Sequence, residues 1–492
     1  MTPMLQKLAR TLLRQPKPMH IGFIAQGWEP DVGGIESHTA DLVRELAARG
    51  HRISALVLDY KGLAEPFGVT TDFIGPAHVT RMSYAYHDHN RLAQVVRNRK
   101  AEEVAAIWLH KRQPDVVHVH HLTGFGMGTL PRLRGEGASL VMTLHDYWPL
   151  CPRGQMVRHT EQALDAEICG GLNPAACGAC LAKSFPHLMP SRGAELFGPY
   201  DGPAGPNGVP LEEPLCVEPG GDPDAVVADR RTAYAIESLG CADLLVTPSA
   251  RARQVYTDAC ASMGFDGSKI RVVENGINVG GMRPKVLKLR KQRPDEQLSM
   301  SPVLGVVGSV LPSKGVLELA MAFAEAQKEG RFKPTGGLRL EIHGNLPPYH
   351  GETAYIDALR KLEDETPGLD VRGPFFHWDL PRILARLDGV AAPSRWEEVF
   401  GLTVREARAA GLPVLVSNVG DLPAVTSGGR AGLVVEPPHG EAGRRAWADA
   451  LQHFVQDVKG RKAWGAYAQR PRTSKAMALE FEGLYAGIKR SK

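Results

Sequence analysis

No apolar run in the chain approaches the roughly 18 residues that a membrane-crossing helix needs. Cysteine is scarce, 7 in 492 residues, which excludes a disulfide framework and makes the cysteines thiols or metal ligands before disulfides. The formal net charge of +4 is too small to argue for nucleic acid. No internal period of the kind that marks a solenoid is present. The N-terminus has basic residues but no apolar core region or cleavage site, so it does not read as a signal peptide, and a cytoplasmic location is expected. What remains is ordinary globular composition, 43% hydrophobic and 23% charged, long enough for two or three domains with real cores.

Short β-branched runs alternate with helical patterns. Strands are predicted at 19–25, 52–58, 115–120, 139–145, 242–247 and 270–274, then at 303–308, 338–343, 369–372, 387–392, 413–417 and 432–435. Apolar strands alternating with helices argue parallel sheets covered by helices. Two such series argue two doubly wound domains, 19–280 and 302–465, joined by a basic linker at 281–301 and followed by a helical tail at 466–492. Residues 186–228 are rich in Gly and Pro and predict a long loop. Within residues 1–18, Met4, Leu5, Leu8 and Leu12 share one helical face opposite Lys7, Arg10 and Arg14. That pattern suits a helix on an anionic membrane surface or one docked on the protein itself.

The most informative stretch runs from Pro393 to Pro413. Two carboxylates, Glu398 and Glu406, flank the turn Phe400-Gly401-Leu402-Thr403, and a helical run follows. The glycine admits close approach of a ligand, and the unpaired N–H groups of the next helix suit a phosphate. Acids beside an anion site are placed to accept hydrogen bonds from hydroxyls. Phosphate with hydroxyls on both flanks describes a nucleotide sugar. In the same half, Val306 to Gly315 ends a strand and opens a helix. It sets Lys314 where its charge can meet a diphosphate, without the pattern of an ATPase loop. In the first half, Gly33-Gly34 closes a strand–loop–helix unit able to admit a phosphate or sugar.

Histidines gather at two predicted strand ends, His118, His120 and His121 after one and His145-Asp146 after the other. That sheet edge is where open α/β folds bind ligands. His145 with Asp146 suits proton handling or hydroxyl binding. A zinc site from His118, His120 and His121 is poorly spaced, because His121 faces away from the other two. Cys151, Cys169, Cys177 and Cys180 fall within thirty residues and end in a Cys-x-x-Cys. Four such thiols suit structural zinc, with an iron–sulfur cluster as second choice, in an insertion (151–185) poor in apolar residues. Asp222-Pro-Asp224 lies in the predicted loop and is taken as chance.

Taken in order, these segments resemble the retaining glycosyltransferases of family 4. The resemblance rests on Gly33-Gly34, Arg49-Gly50-His51, Pro114 to His120, Thr143 to Asp146, Pro248-Ser249, Val273 to Ile277, Lys314-Gly315 and Glu398 to Glu406. It implies a GT-B fold, two Rossmann-like domains facing a central cleft. The acceptor, a glycan or lipid-linked saccharide, would lie on the first domain and the donor, a UDP- or GDP-hexose, on the second. By similarity, Glu406 would hold the ribose and Glu398 the transferred sugar. The backbone of Gly401 to Thr403 with Lys314 would take the diphosphate, and His145 would lie near the anomeric carbon. No catalytic metal is implied. The cysteine insertion resembles that of a subset active in polysaccharide or lipid-linked saccharide assembly. Two positions depart from the family. Ser309 stands where an arginine usually contacts the diphosphate, and Asn278 where an acid is usual. The alternative expectation is a non-catalytic sugar-nucleotide-binding subunit of a polysaccharide assembly complex.

Overall fold

The computed structural model describes residues 17–29, 33–60, 65–84, 97–159, 166–185, 189, 191, 218–261, 264–277, 282–292, 301–333, 336–349, 351–467 and 471–488. The first domain is built on an eight-stranded sheet. Its strands are β1 (His20–Ala25), β2 (Arg52–Asp59), β3 (Val69–Ile74), β4 (Ala77–Ser83), β5 (Val116–Val119), β6 (Leu140–Thr143), β9 (Leu244–Thr247) and β10 (Ile270–Val272). They lie in the order β10-β9-β6-β5-β1-β2-β4-β3. Every pairing is parallel except that of β3 with β4. β1, β5, β6 and β9 are buried along their whole length, so their Val, Ile and Leu runs carry no polar alternation. Helix α1 (Gly34–Ala48) covers one face with Thr39, Leu42, Val43 and Leu46. The insertion adds a small antiparallel pair, β7 (Val157–His159) and β8 (Ala166–Ile168), and helix α2 (Pro174–Ser184). Helix α2 packs on α3 (Pro223–Leu239).

The second domain has six parallel strands. These are β11 (Val303–Val307), β12 (Arg339–His343), β13 (Leu369–Gly373), β14 (Gly389–Ala392), β15 (Val414–Ser417) and β16 (Gly432–Val435). Their order is β13-β12-β11-β14-β15-β16. Strand order reverses between β5 and β1 in the first sheet and between β11 and β14 in the second. Ligands of doubly wound sheets bind at such points. Two domains of this kind facing each other across a cleft are the GT-B fold.

Three segments differ from expectation. The basic linker contains helix α4 (Met282–Lys291), because Met282 and Val286 recur at helical spacing and bury beside Leu384 and Leu412. The predicted loop gives way at Asp222, whose carboxylate caps α3 by accepting from the Asp224 N–H. Asp222 and Asp224 therefore have a structural use. The tail is helical as expected, forming α7 (Ser474–Ile488), but it returns to the first domain. Its Met477, Phe481 and Tyr485 pack with Ile21, Leu42 and Val57. Glu482 accepts hydrogen bonds from Arg49 (Nε, 3.0 Å) and pairs with His51 Nε2 (2.7 Å). The amphipathic pattern at 4–14 lies outside the described residues. Among the described residues, no helix is long and apolar enough to cross a membrane.

Candidate active site

The two switch points face one cleft of about 820 Å³. Gly33, Gly34, His145, Ser309, Lys314, Glu398, Gly401, Leu402, Thr403 and Glu406 all line it. Lys314 ends a 3₁₀ turn after β11 and is followed by Gly315, which opens helix α5 (Val316–Lys328) at φ +64°. A Cβ at Gly315 would stand 2.1 Å from the Pro393 carbonyl oxygen, so only glycine lets this turn press against the segment after β14. The Arg395 N–H donates to the Ser313 carbonyl at 2.7 Å and fixes the same contact. Lys314 Nζ consequently reaches Glu398 Oε1 at 2.5 Å, and the Ser394 hydroxyl donates to that oxygen at 2.7 Å. The ammonium also lies 4.8 Å from the centroid of the Trp396 ring. Among the described residues lining the cleft, Lys314 is the sole lysine or arginine. No basic side chain there takes the place left by Ser309.

Gly401 caps helix α6 (Leu402–Ala409) in the left-handed region, φ +70°. The helix thus aims its first N–H groups into the cleft. Glu406 sits in the next turn, 7% exposed. Burial, with a smaller push from the charge of Asp41, raises its carboxyl from 4.5 to about 8. His377 Nε2 lies 3.8 Å from Glu406 Oε1. Across the cleft, Gly33 is extended (φ −175°) and lies against the Glu36 carboxylate. A Cβ there would stand 2.2 Å from Glu36 Oε2. The Glu36 side chain fills the turn under the Gly33-Gly34 loop, a feature the sequence pattern did not single out.

The domains meet around this cleft. Ser249 Oγ donates to the Val399 carbonyl at 2.6 Å, and Arg251 pairs with Glu397 at 2.9 Å. Trp396 and Val399 of the second domain pack into a core cluster of the first.

The histidines are partnered differently from expectation. His145 does not pair with its neighbour Asp146. Its Nε2 is hydrogen-bonded with His120 Nδ1 at 2.9 Å. The Asp146 carboxylate instead lies 3.2 Å from His121 Nε2 and accepts from the Trp148 N–H at 2.9 Å. His118 is held by the Tyr485 hydroxyl and Thr143 Oγ1, both at 2.7 Å. His118, His120 and His121, judged poorly spaced for a metal, do not form a closed set; among the described residues that set is His38, His120 and His145, with ligand nitrogens within 4.8 Å of one another. Burial, then neighbouring imidazoles, holds His120 and His145 well below the ordinary histidine value, so both rings are neutral at pH 7. His38, from α1, was missed: its place beside two strand ends depends on how the helix packs.

The four insertion cysteines are free thiols in one neighbourhood. Burial and then the thiols of Cys151, Cys180 and Cys177 push Cys169 up to about 12. Their sulfurs are not drawn into a closed group. Among the described residues, the set with ligand atoms within 4.8 Å of one another is the histidine set. A preformed tetrahedron, as the spacing suggested, is not what the structure shows.

The architecture is that of a GT-B glycosyltransferase. Residues 301–457 match the family model "Glycosyl transferases group 1", and residues 32–168 match "Glycosyltransferase Family 4". Both domains thus carry glycosyltransferase sequence, consistent with family 4. The chain is 32% identical over 219 residues to the D-inositol 3-phosphate glycosyltransferase of a Nocardioides species, covering 42% of this chain and 45% of that one. It is 32% identical over 222 residues to the Mycobacterium tuberculosis protein of the same name, covering 44% and 42%. The matches span less than half the length of these curated relatives. The solved sucrose-phosphate synthase of Thermosynechococcus elongatus superposes with a TM-score of 0.63 at 18% identity, over 96% of this chain and 99% of that one. Anabaena HepE, solved with UDP and glucose, superposes with a TM-score of 0.58 at 16% identity, over 95% and 99%.

Proposed function

We propose that this protein is a retaining hexosyltransferase. It moves a hexose from a UDP- or GDP-linked sugar to a glycan or lipid-linked saccharide, in cell-surface polysaccharide synthesis at the inner membrane face. The observation that carries the proposal is the single cleft holding Lys314, Glu398, the N-terminus of α6 and Glu406 within one domain. The N–H groups at Leu402 and Thr403 and the Lys314 ammonium bind the diphosphate and take up the charge that grows as it leaves. Glu406 accepts from ribose hydroxyls, and Glu398 from the hydroxyls of the transferred sugar. To bind a donor, Lys314 exchanges part of its ion pair with Glu398 for phosphate, which frees the carboxylate for the sugar. The acceptor attacks from the face that the diphosphate leaves, and the leaving phosphate takes the acceptor proton. Neutral His145, held by His120, orients the sugar near the anomeric carbon.

HepE, solved with UDP and glucose, and the Burkholderia xenovorans trehalose-phosphate synthase, solved with glucose-6-phosphate, support a nucleotide-sugar donor and a sugar acceptor. Exposed Lys285, Lys288 and Lys291 beside exposed Leu287 on α4 support contact with an anionic surface. The test is thermal stabilisation and slow donor hydrolysis with UDP-, GDP- and ADP-sugars. One nucleotide should stabilise the parent, Glu406→Ala should lose that effect, and Glu398→Gln should bind without turnover. Binding with no hydrolysis or transfer by the parent would instead indicate the non-catalytic subunit.

A further inference from the structure

Two adjoining pieces of the second domain leave apolar and basic side chains in solvent. After β13 the chain turns into a short helix, Leu380–Arg386. Phe375 anchors that turn, packing on the cluster of Met282, Val286, Leu380 and Leu384. Phe376 and Trp378 stay outside, 56% and 71% exposed. Their rings stack on each other, with centroids 4.4 Å apart and planes 11° from parallel. Helix α4 buries Met282 and Val286 in the same cluster and packs along the short helix. It carries Arg283, Lys285, Lys288, Arg290 and Lys291 and no acid. Lys285, Leu287, Lys288 and Lys291 are exposed. Arg382 on the short helix is exposed too, and Asp379, 3.5 Å from it, is the one acid in residues 372–386. Arg372 and Arg386 pair with Glu341 and are not counted here.

Exposed aromatic side chains rimmed by charge mark an interaction surface. Protein interfaces favour arginine and are poor in lysine, whereas three of the four exposed cations here are lysines. Tryptophan and phenylalanine settle in the headgroup layer of a bilayer, and lysines beside them meet anionic headgroups. Each such lysine contributes about fivefold to binding. We infer that this face of the second domain docks on an anionic lipid bilayer. Phe376 and Trp378 enter the headgroup layer, and Lys285, Lys288, Lys291 and Arg382 rest on its charge. The inference deepens the proposed function and rests on it for a lipid-linked acceptor. Phe375, Phe376 and His377 also line the cleft, so the exposed pair stands at its mouth. Docking sets that mouth beside the headgroups, where the saccharide of such an acceptor is held. The contact is made by the donor-binding domain and does not need the amphipathic pattern at 4–14.

The test uses the full chain and vesicles, with no transfer reaction. The protein should sediment with vesicles of phosphatidylcholine and phosphatidylglycerol, not with phosphatidylcholine alone, and release as salt rises. Lys285→Glu combined with Lys288→Glu should weaken binding by at least about 25-fold, and Trp378→Ser by about tenfold. Tryptophan emission should shift to the blue on the anionic vesicles, and Trp378→Phe should remove most of the shift. These positions are exposed and outside the cleft lining, so the variants should keep the parent's thermal unfolding and donor hydrolysis. Hydrolysis tests the transferase reading separately from this one. Parent-like vesicle binding by the lysine and tryptophan variants would overturn the proposal and assign the contact to residues 1–18. Equal binding to neutral vesicles would overturn the role of charge. No vesicle binding would overturn the bilayer as occupant, and a dimer in light scattering that Trp378→Ser dissolves would make the face a contact between copies.

Discussion

Donor affinity should rise with pH, because the group proposed to receive the ribose is protonated in the empty cleft. Burial raises Glu406 from 4.5 to about 8. A neutral carboxyl accepts ribose hydroxyls poorly, so binding must first release its proton. With an apparent value near 8, roughly 1% of Glu406 is ionised at pH 6 and about half at pH 8, so affinity should rise on the order of 50-fold over that range. The sign also fixes stability. The folded chain holds this proton more tightly than the unfolded one. The contribution is full below 4.5 and is lost as pH rises through about 8, on the order of 5 kcal/mol in total. Calorimetry with a nucleotide sugar, whose diphosphodiester does not titrate here, gives the affinity, and buffers of different ionisation enthalpy count the released proton. Glu406→Gln should bind weakly at every pH, without the slope, and should gain stability relative to the parent as pH rises. His377 and Asp41 are the other titratable groups near this carboxylate, and His377→Gln should keep the slope. A parent whose affinity changes less than about threefold between pH 6 and 8 would refute the assignment.

Lys314→Gln should lower turnover by roughly 10²–10³ with a smaller effect on donor affinity, as expected of a charge that matters most when the diphosphate leaves; steady-state kinetics checks this. Ser309→Arg should tighten donor binding about tenfold and steepen its salt dependence, since Lys314 is the sole cation among the described residues of the cleft wall. Glu482→Ala should cost about 3 kcal/mol in urea unfolding, because it strands Arg49 and His51 at the seam of α7 with the first domain.

Much of this architecture was legible in the chain because parallel strands buried on both faces are written as plain β-branched runs. Ile21 to Ala25 and Val414 to Ser417 are of this kind. The antiparallel pair β3–β4 was not legible, since β3 (VTTDFI) is an exposed edge with no apolar alternation to mark it. Helix α4 hides its period among lysines and arginines, and only Met282 and Val286 declare it. The ten cleft residues could be named because each follows a strand, and doubly wound sheets gather their carboxyl ends at one place. Partnerships across segments were not readable. Asp146 is adjacent to His145 in sequence, yet it serves His121 and Trp148. Spacing suggested that the four cysteines close on one another, yet among the described residues the closed set is His38, His120 and His145.

Helix α7 has a consequence for how the protein is made. The first domain is not continuous in the chain: the groove that receives Phe481 and Tyr485 stays open while residues 303–456 are synthesised and pack around their own sheet. A ribosome delivers that helix after the second domain has had time to fold. During synthesis, the first domain therefore waits with part of its core exposed, and the second is complete before it. The two crossings, at Ile277 and at Thr473, then lie side by side as a bridged pair. Cutting either one alone would leave the domains tethered by the other, and any opening of the cleft must bend both crossings together.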